Sequence, residues 1–211
     1  MTGAGPSGAG PGAPPAFLLR ELRWEDFPGR MAVYLDLYDE VRENPDLGMT
    51  LLLPRPTEAD EVSWFSGLYQ RVLRGEDVAV IGEIDGRPVG MVTIVGSRFA
   101  GRASETSHVG VLGILVARGY RGRGLGEAMM VRALELAQGK FEIVRLVVFS
   151  VNVRARRLYE RLGFRTTGHL EAEVKRDGRY LDEEMMTLRL SDGKAPAGRS
   201  GARRSGAPKE R

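Results

Sequence analysis

The sequence predicts one α/β domain built around a mixed β-sheet. Three observations predict this fold class. Helical apolar patterns alternate with short β-branched runs through residues 17–190. A glycine-rich loop joins a buried strand to a helix within residues 109–134. Near the end of that region, two apolar strands flank Arg176-Asp177-Gly178, a sequence typical of a hairpin turn.

The first predicted elements are an edge strand and two helices. Residues 17–22 alternate weakly between apolar and polar side chains, as an edge strand does. Asp26, followed by an aromatic residue and a proline, predicts the start of the first helix. Thr57 and Asp60 have the spacing of a capping box, which predicts the start of the second helix. The apolar residues expected on the buried face of that second helix are Val62, Phe65, Leu68, Tyr69, Val72 and Leu73.

The remaining elements are mostly strands, separated by two helices. Asp85-Gly86 is a hairpin signal between the first two of these strands, although the proline at position 88 limits their register. Helices are predicted to begin near Leu125 and Asn152, each after a buried strand. The predicted strands span residues 78–84, 89–95, 109–116, 141–151, 164–174 and 180–190.

The segment at residues 109–126 has the order of an anion-binding site: strand, glycine loop, helix N-terminus. Glycine lets backbone N–H groups turn toward a ligand, and the first amides of a helix have no partner within it. Such a site suits a phosphate or pyrophosphate. A Walker loop is excluded because Leu125 and Gly126 stand where lysine and a hydroxyl residue are needed, and Glu127 replaces the third glycine of a dinucleotide fingerprint.

The loop instead matches a pattern of arginine, glycine and glycine at Arg121, Gly124 and Gly126, and here the chain resembles the GNAT superfamily of N-acetyltransferases. A second motif, from Asn152 to Phe164, is similar to another signature of that superfamily. The resemblance covers nearly all of residues 17–190. It implies the GNAT fold, a mixed and mostly antiparallel twisted sheet of six to seven strands flanked by about four helices, with two central parallel strands that splay apart.

The resemblance also implies a site for acetyl-CoA. The backbone of the central strand would pair with pantetheine, and one of its N–H groups, near Leu115 or Val116, would polarise the thioester carbonyl. Asn152 either contacts pantetheine or caps the helix that follows, and both roles are compatible. The residues assigned to the co-substrate are Ile114, Leu115, Val116, Arg121, Gly122, Arg123, Gly124, Leu125, Gly126 and Asn152.

Tyr159 is the residue that the resemblance places near the coenzyme sulfur, where it would protonate the departing thiolate. The chain has no cysteine, which excludes a cysteine-bound acetyl intermediate and favours direct transfer in a ternary complex. The general base is left open among His108, Glu83 and Glu105, of which His108 has the most suitable ordinary pKa. Tyr180 and Glu184 in the final hairpin are candidates for orienting the acceptor.

The acceptor is predicted to be a primary amine: a protein N-terminus, a lysine, or a small amine or polyamine. The acidic residues between Asp36 and Asp46 either form a mouth that attracts cationic amines or belong to a solvated helix face. Two alternatives to catalysis remain at this stage. One is a sensor that binds acetyl-CoA without turnover, and the other is an RNA- or ribosome-associated module.

The second alternative depends on the C-terminal tail. Residues 191–211 hold six basic and two acidic side chains, so the net charge of +3 is a property of this tail. Residues 1–16 and 191–211 are poor in large apolar side chains and are expected to be disordered. The sequence shows no membrane segment, signal peptide or cysteine-based metal site, and the protein is predicted to be cytoplasmic, metal-free and either a monomer or a homodimer.

Overall fold

The computed structural model describes residues 16–44, 47, 54–97 and 105–190. The two tails predicted to be disordered lie outside these residues, except for Ala16. The helices and strands are β1 Leu18–Glu21, α1 Phe27–Glu43, α2 Glu58–Leu73, β2 Val78–Ile84, β3 Arg87–Gly96, β4 Val109–Val116, α3 Leu125–Ala137, β5 Ile143–Phe149, α4 Val153–Arg161, β6 Arg165–Arg176 and β7 Arg179–Arg189. Among the described helices, none is both long and apolar enough to cross a membrane.

The described strands form one seven-stranded sheet in the order β1-β2-β3-β4-β5-β7-β6. Neighbours are antiparallel except β4 and β5, which are parallel. This arrangement confirms the predicted fold class. The limit that proline 88 places on the β2–β3 hairpin is also visible, because the register shifts opposite it, between Gly82 and Glu83.

Helices cover both faces of the sheet. Ala79 and Ile81 of β2 pack with Phe65 and Leu68 of α2. The alternate residues of β2, including Val80, pack on the other face with α3. Successive side chains of a strand point to opposite faces, so α2 and α3 lie on opposite sides of the sheet. α1 joins the α2 side through its contacts with Leu115 of β4, and α4 joins the α3 side.

The start of α2 is as predicted, and its buried face is as predicted at Phe65 and Leu68 but not along its whole length. Thr57 Oγ1 accepts a hydrogen bond from the Asp60 amide at 3.3 Å, and the Thr57 amide donates to Asp60 Oδ2 at 2.9 Å, which completes the capping box. Val62 and Leu73, expected in the core, are 40% and 69% exposed. Glu61 is buried instead because its carboxylate pairs with buried Arg30 of α1.

The strands β4 and β5 separate soon after they meet. They pair only between residues 109–111 and 143–145. On its far side β4 stays paired with β3 up to Val116, and β5 stays paired with β7 up to Phe149. The sheet is therefore continuous at one end and opens into a gap at the carboxyl ends of β4 and β5, as the resemblance implied.

Candidate active site

A cleft of about 1050 Å³ occupies the gap between β4 and β5. Gly113 and Ile114 are adjacent on β4 and both line the cleft. Because successive residues of a strand point to opposite faces, the cleft is open to both faces of the sheet. The loop before α3 and the first turns of α4 form one end of the cleft, and Leu37 of α1 and Glu183 of β7 line its other side. The cleft thus links the α3–α4 face of the sheet to the α1 face.

Two backbone amides of β4 point into this gap. The Ala117 amide donates to the Val89 carbonyl at 2.9 Å, and the Ser97 amide donates to the Val109 carbonyl at 2.7 Å. Because backbone groups alternate in direction along a strand, the odd-numbered residues of β4 bond to β3. The amides of Ile114 and Val116 therefore face the side from which β5 has departed. Of the two alternatives predicted for the donor to the thioester carbonyl, Val116 has its amide on this side, and Leu115 has its amide toward β3.

The loop before α3 presents a row of unused amides. Within the described residues, none of the amides of residues 121–126 donates a hydrogen bond. Gly122 and Gly124 hold this shape with φ angles of +78° and +84°, a region that favours glycine. Together with the N-terminus of α3, these amides present the kind of donors from which the sequence predicts an anion-binding site.

The arginine side chains of this loop have different surroundings. The Arg121 guanidinium donates to both carboxylate oxygens of Glu40 at 2.7 Å and to the Val116 carbonyl at 2.8 Å. Arg118 pairs with Glu43 at 3.5 Å. The Arg121 side chain therefore anchors the loop to α1, while Arg123 is exposed. Two acidic residues of α1 thus pair with loop arginines. These pairs lower the net negative charge of the acidic region that the sequence analysis offered as an attractor for cationic amines.

Asn152 and Tyr159 line the cleft from α4. Asn152 Oδ1 accepts a hydrogen bond from the Ala155 amide at 3.1 Å, so the residue caps the helix. Its side-chain nitrogen is left to donate to a ligand. Tyr159 is 7% exposed, and burial raises the pKa of its hydroxyl to about 12. The phenol consequently stays protonated at neutral pH and can act as a proton donor.

The three candidate bases lie outside the cleft. His108 precedes β4 at the end where β4 and β5 still pair, and its carbonyl accepts from the Glu142 amide at 2.8 Å. At ~3.3 Å per strand residue, His108 is roughly 17 Å from Gly113. Glu83 is bound to Arg20 Nε at 2.6 Å, and Glu105 lies in the turn before His108. None of the three lines the cleft, where a base must lie to take a proton from the acceptor amine.

The final hairpin contributes a carboxylate that the sequence interpretation did not choose. Glu183 is 8% exposed and lines the cleft. Glu184, its neighbour, points to the opposite face, where it accepts from Ser150 Oγ at 3.4 Å and contacts His169 Nδ1 at 3.1 Å. Tyr180 is 63% exposed, under Lys175. Neither Tyr180 nor Glu184 lines the cleft.

Arg176 lies close to Glu183 on the α1 face. Its guanidinium lies over the Phe149 ring at 5.4 Å and donates to the Leu47 carbonyl at 3.2 Å. Phe149 is the cross-strand partner of Glu183. A buried carboxylate and an aromatic ring therefore line this end of the cleft, and the Arg176 guanidinium packs on that ring next to the lining. Among the described residues, no group of three His, Asp or Glu side chains could hold a metal ion.

The fold and the cleft define a transferase that holds a phosphate-bearing donor between two splayed strands. A sequence model of the acetyltransferase (GNAT) family matches residues 19–164, and the chain belongs to this family. The family match confirms the resemblance, the enzyme class and the fold that were predicted from the loop and the α4 motif.

Curated relatives and solved structures point to the same family. The chain is 25% identical over 177 residues to the L-methionine sulfoximine/L-methionine sulfone acetyltransferase of Pseudomonas paraeruginosa, covering 82% of this chain and 94% of that protein. It is 30% identical over 139 residues to the L-amino acid N-acetyltransferase AaaT of Escherichia coli, covering 65% and 80%. The phosphinothricin acetyltransferase of Sinorhizobium meliloti, solved in complex with acetyl-CoA, has a TM-score of 0.70 at 21% identity, covering 89% and 95%.

Proposed function

We propose that the protein transfers an acetyl group from acetyl-CoA to the α-amino group of a free amino acid or a close analogue. The observation that carries the proposal is one cleft with unused loop amides at one end, Tyr159 along its wall and Glu183 on the far side. The names of two relatives, which act on L-methionine derivatives and on L-amino acids, support an acceptor of this size.

The donor end of the cleft is suited to coenzyme A. The amides of residues 121–126 bind the pyrophosphate, and the Asn152 side-chain nitrogen donates to the pantetheine arm. The amides of Ile114 and Val116 donate to oxygens of the pantetheine arm and of the thioester. A fixed N–H at the thioester carbonyl stabilises the negative charge that develops on its oxygen during attack.

The reaction then needs three proton movements. The ammonium nitrogen loses one proton to a base and attacks the acetyl carbon, and it loses a second proton to solvent as the carbon–sulfur bond breaks and the sulfur leaves as a thiolate. Tyr159 donates its hydroxyl proton to that thiolate. A thiol has an ordinary pKa of roughly 8.5. Because the pKa of the Tyr159 phenol is higher, transfer of its proton to the thiolate is energetically uphill. Tyr159 then recovers a proton from solvent, which completes the cycle.

At the acceptor end, Glu183 and Arg176 provide opposite charges. A free amino acid carries an ammonium and a carboxylate on adjacent atoms. We assign Glu183 to hold the ammonium group and take its proton, and Arg176 to bind the carboxylate, for which its planar guanidinium is suited. Phe149 and Leu37 supply apolar contacts for the side chain of the acceptor.

Release of free coenzyme A in the presence of an amine panel tests this function. We expect release with methionine sulfone, methionine sulfoximine or other L-amino acids, and none with the N-acetylated forms of the same compounds. Activity confined to peptides or polyamines would contradict the proposed acceptor class. Tight coenzyme binding with no turnover on any amine would favour the sensor instead.

Replacing Glu183 with glutamine is expected to lower kcat/KM for the amino acid about 30-fold, since the change removes a buried charge that faces the ammonium. The deficit should shrink toward high pH, where more of the α-amine, of pKa about 8, is already neutral. Steady-state kinetics between about pH 7 and pH 9.5 measure both effects.

Glu184→Gln is the matched control for this variant. The two glutamates are adjacent in sequence but lie on opposite faces of β7, and only Glu183 lines the cleft. Glu184→Gln should change kcat/KM less than about threefold. A larger loss in Glu184→Gln than in Glu183→Gln would restore the prediction made from the sequence and remove Glu183 from the site.

Three further predictions from the sequence stay predictions. The cytoplasmic location and the choice between monomer and homodimer have no test in the described residues. Contact of the basic tail with RNA or ribosomes concerns residues 191–211, which the structure does not describe.

A further inference from the structure

We propose that Arg157 binds the 3′-phosphate on the ribose of coenzyme A, so that the enzyme prefers the complete coenzyme to its 3′-dephospho form. This inference rests on the proposed use of acetyl-CoA. Binding of the pyrophosphate alone does not require all the arginines at the mouth of the cleft, and the inference gives one of them a separate role.

Two groups of arginines surround this mouth. Arg118, Arg121 and Arg161 are paired with carboxylates of Glu43, Glu40 and Glu127. Among the described residues, Arg123, Arg154 and Arg157 form no ion pair. Of these three, Arg154 and Arg157 line the cleft, so its α4 wall holds two cations whose charge is not balanced by a neighbouring carboxylate.

Arg154 and Arg157 have defined positions on α4. Both line the cleft, and they are three residues apart, which places them on the same side of the helix. The Arg154 guanidinium packs so closely on the backbone of Gly122 that a side chain at Gly122 would overlap it. Arg154 is therefore next to the amides that bind the pyrophosphate, and Arg157 lies one turn further along α4.

The position of Arg157 is bounded on its other side by Arg161. Arg161 Nη1 donates to the Arg157 carbonyl at 3.1 Å, and Arg161 Nη2 pairs with Glu127 of α3 at 3.2 Å. That pair connects α4 to α3 and leaves Arg157 between the anchored Arg161 and the loop. Arg157 thus lines the cleft beside the place where a pyrophosphate on the loop would lie, with its side chain exposed.

The charges of coenzyme A match this arrangement. The pyrophosphate is met by the loop amides and the N-terminus of α3, which together act as about half a positive charge, and by Arg154. The 3′-phosphate is a separate dianion on the ribose. Arginine binds phosphate oxygens through two parallel N–H donors, and the exposed guanidinium group of Arg157 is available to the 3′-phosphate without breaking an existing ion pair.

Calorimetric titration of the intact protein with coenzyme A and with 3′-dephospho-coenzyme A tests the assignment. We expect the wild-type protein to bind coenzyme A about tenfold more tightly than the dephospho form. Arg157→Ala should weaken coenzyme A binding about tenfold and leave the dephospho affinity within about twofold, so that the preference disappears. Arg154→Ala should weaken both ligands alike.

Arg165→Ala is the control, because Arg165 is exposed on β6 and does not line the cleft. It should bind both ligands as the wild-type protein does. Equal affinity of the wild-type protein for the two ligands, or an equal loss for both in Arg157→Ala, would overturn the inference and leave the proposed acetyl transfer intact. Failure of the wild-type protein to bind either ligand would overturn the proposed donor itself.

Discussion

Replacing Tyr159 with phenylalanine is expected to lower kcat about a hundredfold, because a positioned general acid contributes roughly a factor of 10² to 10⁴. Coenzyme A affinity should stay within about threefold of wild type, since the ring that packs beside Phe164 is kept. Because burial raises the pKa of Tyr159 to about 12, the phenol stays protonated at lower pH. The wild-type activity should therefore show no loss from Tyr159 ionisation below about pH 10.

Tyr69→Phe on α2 is a matched control, because it removes the same hydroxyl from a tyrosine that does not line the cleft. Its kcat should equal that of the wild-type protein. Stopped-flow or steady-state release of coenzyme A measures both variants, and calorimetry gives their coenzyme affinities. An unchanged kcat in Tyr159→Phe would show that the thiolate leaves without a proton from this residue.

Replacing Gly126 with proline is expected to weaken coenzyme A binding about 30-fold or more. Proline removes one amide donor from the loop, and a hydrogen bond to a charged group contributes roughly 1.5–3 kcal/mol. The fold should tolerate the change, because α1 of the same protein has Pro28 at an equivalent position in its first turn. Gly126 does not have a positive φ, so proline meets no conformational barrier of that kind.

Gly126→Ala separates the loss of the amide from the added side chain. A Cβ at this position would lie 3.4 Å from Ile114 Cδ1, an ordinary contact, and the alanine amide is retained. Alanine should therefore keep coenzyme A affinity within about threefold of wild type. If alanine weakens binding as much as proline does, the amide of residue 126 is not a ligand of the pyrophosphate.

The order of elements could be predicted because local signals agreed with the fold. The capping box at Thr57, the Asp85-Gly86 hairpin and the glycine loop at residues 118–126 each determine a local backbone conformation. The prediction that β4 and β5 splay apart came from the family resemblance. The residues of the two strands alone do not indicate it, because they are typical of any buried parallel pair.

The pairing of charged side chains across the fold could not be predicted. Glu61 is buried because Arg30 of α1 reaches it, and Arg121 is withdrawn from the ligand because Glu40 of α1 lies opposite. Both contacts join segments distant in sequence. An apolar pattern along one helix carries no information about a charged partner on another helix.

The acceptor end was missed for a different reason. Glu183 and Glu184 are adjacent, and only the register of β7 against β5 decides which one faces the cleft. A one-residue slip would exchange them. The prediction of His108 as the base depends on the pKa typical of histidine, whereas its position at the paired end of β4 depends on where the two strands separate.

The crystal structure of the protein with coenzyme A bound is the most direct test of the central claim, that the backbone of residues 121–126 holds the donor and positions it at Tyr159. We expect pyrophosphate oxygens within hydrogen-bonding distance, about 2.7–3.2 Å, of several of these amides, and the Tyr159 hydroxyl next to the coenzyme sulfur. A pyrophosphate bound elsewhere, with the sulfur away from Tyr159, would contradict the account.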